Sequence, residues 1–154
     1  MQNKYKMPSD VRRTVISIVQ GYDRRRIKLK RDEDRIIKLG GGKYEEKDGE
    51  RVFLPSGKGG KSSAVENQAL ELMRLHDSWD YRCNKAIDEA LAALPLDGYT
   101  PELAKKVREK ILFSCQIGRQ FCFSRSGIVG IEASRFYQLR SIFLLFVAKK
   151  LNLL

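Results

Sequence analysis

Cysteine, histidine and proline are scarce in this 154-residue chain, and each scarcity removes a class of chemistry. The three cysteines, Cys83, Cys115 and Cys122, are odd in number and scattered, which is no disulfide framework. No CxxC pair occurs, and a lone histidine, His76, does not complete a zinc set. The cysteines are therefore expected to be small buried apolar residues. No Ser/His/Asp set and no carboxylate pair with a basic partner emerges, so no residue is available to carry catalysis. No enzyme activity, metal or cofactor is expected. No run of about 18 apolar residues exists, which excludes a helical membrane span. The segment Met1–Asp10 lacks the apolar stretch of a secretory signal, and a cytoplasmic location is expected.

What the chain has is positive charge, unevenly spread. The net charge is +11. Residues 1–61 carry 17 basic and 9 acidic groups, residues 62–99 carry 3 and 7, and residues 100–154 carry 10 and 3. Two basic ends thus flank an acidic middle. Basic patches attract polyanions through charge and counterion release. The acidic middle argues against uniform coating of a membrane.

The chain is long enough for one compact domain or two very small ones. A first helix is expected from Asp10 to about Lys38, capped by Ser9, with Val11, Val15, Ile18 and Tyr22 on one face. Residues 40–62 have the glycine density of a linker, from Gly40-Gly41-Gly42 to Gly57–Lys61. Within it, Asp48-Gly49 suits a short hairpin of Lys43–Lys47 with Glu50–Leu54.

A second helix, 64–94, opens on an S-x-x-E capping box, Ser63 with Glu66. Val65, Ala69, Leu72, His76, Trp79, Cys83, Ala86 and Ala90 form a heptad seam along it. Trp79 is expected as a core anchor, and His76 as a core or seam-edge residue. This helix must bury its seam against the first helix or against a second copy of the chain. Pro95 and Gly98 end it.

A third helix starts at Thr100-Pro101-Glu102 and ends near Gly118, with Leu103, Val107, Ile111, Leu112 and Cys115 inward. A final helix runs to Leu151 with Ser134 as its N-cap, Glu132 being the alternative start. Phe136, Leu139, Phe143, Phe146, Val147 and Leu151 form its apolar face.

Two stretches invite a phosphate-binding reading. Gly57–Ser63 resembles a nucleotide-binding loop, but Pro55 stands where the pattern requires glycine, so a linker is expected. The run Arg24–Arg31 contains Arg24, Arg25, Arg26, Lys28, Lys30 and Arg31, a candidate secondary contact to a phosphate backbone. The alternative is a solvated helix face partly neutralised by Asp32, Glu33 and Asp34.

From Arg119 to Leu154 the order of features suits a helix-turn-helix. Helix 101–117 leads to a less regular stretch, 121–127, then to a turn containing Gly127 and Gly130, then to the last helix. The start of such a second helix enters the major groove. It offers Ser134, Arg135, Tyr137, Gln138 and Ser141 here. Arg135 suits guanine and Gln138 suits adenine, while Arg119, Arg125 and Arg140 suit phosphates. The rival reading is an ordinary helical hairpin with a solvated Arg/Gln face.

The stretch Glu132–Asn152 resembles the C-terminal helix of small phage and prophage transcriptional regulators of the ArpU/RinA type. Ser134, Arg135, Phe136, Tyr137 and Arg140 read S-R-F-Y-x-x-R, which shares the residue order of their S-R-x-x-F-Y-x-x-R form without its two-residue spacer, and Ala148, Leu151 and Leu153 match the apolar end. It is also similar to the helix-turn-helix in region four of bacterial sigma factors. The helix opening at Ser63 is similar to the middle helix of the same regulators. About 90 residues are covered, the final 20 specifically. Residues 121–132 depart from the pattern, with two glycines where those regulators carry a first helix. The resemblance implies a DNA-binding activator of phage late genes.

The expected fold is therefore all-α, a long helical hairpin or bundle with a C-terminal helix-turn-helix. Its segments are a basic N-terminal helix, 1–39; a linker or hairpin, 40–62; and a helical domain, 63–154, with the motif at 119–154. The expected partners are double-stranded DNA, a second copy through helix 64–94, and RNA polymerase. The alternatives are a DNA-packaging protein of the small terminase kind, which would form a ring, and a helical protein-interaction module.

Overall fold

In the computed structural model, residues 6–40, 44–47, 50–53, 62–117 and 120–154 are described. The fold is all-α apart from one hairpin. The helices are α1 (Ser9–Gln20), α2 (Tyr22–Gly40), α3 (Ser62–Asp77), α4 (Trp79–Ala92), α5 (Pro101–Gln116) and α6 (Ala133–Lys150). Strands β1 (Tyr44–Lys47) and β2 (Glu50–Phe53) pair antiparallel, with Tyr44 opposite Phe53 and Lys47 opposite Glu50. No described helix is long and apolar enough to cross a membrane.

Two helices expected to be continuous are interrupted. The first breaks at Gly21, whose N–H turns back to the Ile18 carbonyl at 3.2 Å. Glycine is a weak helix former, and the chain restarts at Tyr22 under tertiary restraint. The Tyr22 hydroxyl donates to Asp88 at 2.6 Å, and the Asn84 amide donates to the Tyr22 carbonyl at 3.1 Å. The helix expected over 64–94 breaks at Ser78. Its hydroxyl donates to the Leu75 carbonyl at 2.5 Å and accepts the Tyr81 N–H at 3.3 Å. Serine thus closes α3 and caps α4, the local competition with helix continuation that short hydroxyl side chains offer.

The seam divides accordingly. Cys83, Ala86, Ile87 and Ala90 are buried, whereas Val65, Ala69 and His76 are exposed. Trp79 is no core anchor: it is 49% exposed, with the Arg82 guanidinium 5.9 Å from its ring. His76 stacks on Tyr81 at 4.4 Å instead of entering a core.

The chain forms two compact units. One comprises Met1–Asp23 and Cys83–Leu154. Its core joins Val15, Ile18 and Val19 of α1, the buried residues of α4, Ala104, Val107, Ile111 and Cys115 of α5, and the apolar residues of α6. Burying each large aliphatic or aromatic side chain contributes about 1.5–3 kcal/mol. Phe136, Leu139, Phe143 and Val147 are sealed from solvent, joined by Ile142, Leu144 and Ala148, while Phe146 is half-buried. The α6 helix is thus the central element of this unit, apolar around most of its circumference.

Both ends of this core are fixed locally. Thr100 caps α5, its hydroxyl accepting the Leu103 N–H at 3.3 Å, with Pro101 at the first position. At the end of α6, Asn152 adopts φ 55°. Leu153 N–H reaches the Ala148 carbonyl at 2.9 Å, and Asn152 N–H reaches Lys149 at 3.1 Å. These two bonds make a Schellman closure with asparagine in the left-handed position.

The second unit comprises Arg24–Arg82. Within it the buried Gln68 amide of α3 donates to the Ile36 and Ile37 carbonyls of α2 at 3.2 and 3.3 Å. Lys28 pairs with Asp80 at 2.9 Å.

Helix starts differ from expectation at three places. Ser9 is the first helical residue of α1 and Pro8 is its N-cap, without a side-chain bond. The α6 helix is capped from Glu132, which leaves Ser134 inside its first turn. The α3 helix begins at Ser62, and the side chain of Ser63, on which the capping box rests, lies outside the described residues.

Candidate functional site

The candidate surface is the first two turns of α6 with the connection that precedes it. Residues 117–132 join α5 to α6, with one 3-10 turn at Phe123–Arg125. The Ser126 hydroxyl donates to the Phe123 carbonyl at 2.6 Å and accepts the Ile128 N–H at 3.3 Å, which locks that turn. Gly127 and Gly130 take φ 75° and 101°. At Gly130 the positive φ strains any side chain, and an added Cβ would also meet Leu103 Cδ2 at 3.0 Å, so that leucine would have to give. The segment before α6 is therefore a turn-rich strap, whereas a compact helix-turn-helix joins its helices through a turn of about three or four residues.

Aromatic packing holds the strap against α6. Phe136, fully buried, stacks on Phe121 at 5.4 Å and meets Phe123 at 5.1 Å. The Tyr137 hydroxyl donates to the Phe121 carbonyl at 3.1 Å. With the apolar face thus fixed, Ser134 and Gln138 point to solvent. Arg135, half-buried, donates from Nη1 to Gln138 Oε1 at 2.6 Å. No side chain caps the start of α6, and no acidic residue sits in its first turn. Glu132, at the N-cap position, already brings a negative charge to the positive end of the helix dipole.

The other expected site residues are distributed unevenly. Ser141 is half-buried and its hydroxyl bonds the Tyr137 carbonyl at 3.1 Å, so it faces its own helix. Arg125 is exposed on the 3-10 turn. Arg140 does not join the exposed face: it lies between Phe136 and Phe143 on the core side, its Nη2 reaching the Ser114 carbonyl at 3.5 Å. Arg119 lies outside the described residues.

On α2, Arg24, Arg26, Lys28, Lys30 and Arg31 are exposed. Arg25 is not: only 7% exposed, it shares the inward face with Leu29 and Ile36, which corrects its assignment as a surface contact. Asp80 engages Lys28 and, through that hydrogen bond and its charge, raises the ammonium above its ordinary pKa. A stripe of Ile27, Lys30, Arg31, Asp34, Arg35 and Lys38 lines one side of the helix. Arg35 and Lys38 were not singled out from the sequence, though they continue the three-four spacing begun by Arg31.

Cys83 and Cys115 are buried as expected of small apolar residues, but Cys122 is exposed. The Ser124 hydroxyl, 3.1 Å away, and nearby backbone groups hold its thiol below the ordinary pKa. Among the described residues no group of histidine, cysteine and carboxylate side chains is arranged to hold a metal ion.

No family model, no characterised protein and no solved structure matches this chain.

Proposed function

We propose that the protein is a sequence-specific regulator of transcription that binds duplex DNA through the start of α6. One observation carries this reading. Arg135 and Gln138, whose side chains suit guanine and adenine edges in the major groove, form a bonded pair at the solvent face of a helix anchored by its own apolar face. The exposed Ser134 hydroxyl beside this pair suits a contact to a backbone phosphate. The net charge of +11 and the exposed cations of α2 supply the sequence-independent attraction that such binding needs. Resemblance to ArpU/RinA-type regulators points the same way.

The regulator acts as a homodimer in this proposal. Val65, Leu70, Met73 and Trp79 are exposed apolar side chains of the second unit, Met73 at 61%. Exposed apolar side chains of this size suit burial against a second copy. A DNA-packaging ring is the rival assembly, and mass measurement in solution separates a dimer from a ring.

The reading is tested by selection of the full chain against random duplex DNA, followed by sequencing. A recovered motif that Arg135→Ala degrades supports it. Recovery of unenriched sequence by the wild type refutes it.

A further inference from the structure

We propose that a cleft within the first unit binds a small monocarboxylate with an apolar body, held by Arg140. The cleft has a volume of about 410 Å³ and lies between α1, the C-terminal end of α5 and the first half of α6. That volume is within the range of small-ligand sites, roughly 300–1,000 Å³.

The charge inside is unmatched. Arg140 Nε is shut off from solvent and has no hydrogen-bond partner. Among the described residues the guanidinium bonds only the Ser114 carbonyl, from Nη2 at 3.5 Å. No aspartate or glutamate lines the cleft. Among the described residues no carboxylate pairs with Arg140, and a half-buried cation held in this way is costly, because desolvation is not offset by a charge-assisted bond. A carboxylate in the cleft supplies the missing counter-charge, its oxygens accepting from the outer Nη groups of the guanidinium.

The walls choose among oxyanions. Ile16, Ile117 and Phe121 present apolar surface, while Gln20 and Gln120 add neutral amides. An apolar body on the carboxylate fills this surface, and inorganic phosphate leaves it wet. This inference is independent of the DNA-binding reading, because it uses the core side of α6 and not its exposed start.

The probe is benzoate, titrated into the full chain and followed by amide NMR shifts and by melting temperature. Saturable shifts at Gln20, Ser114 and Phe121, with a raised melting temperature, are expected. Benzamide, which has the same shape without the charge, should cause neither. Arg140→Gln should weaken benzoate binding about tenfold or more, the loss of a charge-assisted pair. Ile16→Phe narrows the cleft while leaving Arg140 intact and should also weaken it, which covers the case in which Arg140→Gln does not fold. Without ligand, Arg140→Met should melt no lower than the wild type, because an unmatched charge has been removed. The proposal is overturned if benzoate produces no saturable shifts at those amides, if benzamide or inorganic phosphate binds equally well, or if the folded variants retain full affinity. A lower melting temperature for Arg140→Met would assign the residue a structural role instead.

Discussion

Arg135 and Gln138 stand one turn apart on α6, joined by a 2.6 Å hydrogen bond from guanidinium to amide oxygen. The bond leaves the Gln138 amide nitrogen and the other guanidinium donors free to turn outward, and each side chain limits the other's rotamers. Pre-ordering of this kind lowers the entropy lost when a base edge is engaged. On the DNA-binding reading, Arg135→Ala and Gln138→Ala should each lose about 1–3 kcal/mol of discrimination at one base position. The double variant should lose less than the sum, because the two residues are coupled. Anisotropy titrations with matched and single-mismatch duplexes measure both quantities.

The α2 cations should behave differently. Lys30→Ala or Arg31→Ala should weaken binding to all duplexes alike, each reducing the salt slope by about 1. Arg25→Ala should chiefly destabilise the fold, since Arg25 is buried and engaged. Binding at several salt concentrations, together with denaturant melts, separates the two outcomes.

Phe136 joins the strap to the core. It is fully buried and in ring contact with Phe121 and Phe123. Phe136→Ala should cost about 3–5 kcal/mol of stability. Urea denaturation gives the value directly, and a loss below about 1 kcal/mol would show that the aromatic cluster does not hold the strap.

Asn152 closes α6 in the left-handed conformation. Asn152→Gly should be neutral or mildly stabilising, and Asn152→Ala should cost about 1 kcal/mol. Thermal melts of the two variants test the sign of the difference.

Cys122 should alkylate with iodoacetamide at a lower pH than an ordinary thiol, because its thiolate is favoured by the Ser124 hydroxyl. The pH midpoint of the rate should rise in Ser124→Ala. Cys83 and Cys115 should react only on unfolding, as both are buried.

The inward faces of α5 and α6 were legible as three-four spacing, from Val107 and Ile111 to Phe136, Leu139 and Phe143. That signal records burial, which periodicity reports well. The break at Ser78 was not legible, because the heptad pattern runs through it without a missed step. A side-chain hydroxyl bonding two backbone groups decides it, and that choice depends on the packing around it. Pattern also overstated Trp79: a seam position is apolar whether it meets its own chain or a second one. Arg140 carried a visible signal in its placement between Phe136 and Phe143, at positions that otherwise face the core. Its match to a polar motif drew attention to the wrong side of the helix. Gly127 and Gly130 marked a turn, but the aromatic clamp on Phe136 involves residues 13 and 15 positions away, beyond any local period.

The most direct test of the central claim is the affinity of the full chain for a selected duplex against a shuffled duplex of the same composition, at one fixed salt concentration. The account predicts tighter binding to the selected duplex by about a thousandfold or more, with most of that preference lost in Arg135→Ala. Equal affinity for both duplexes, or no binding even at low salt, would contradict it.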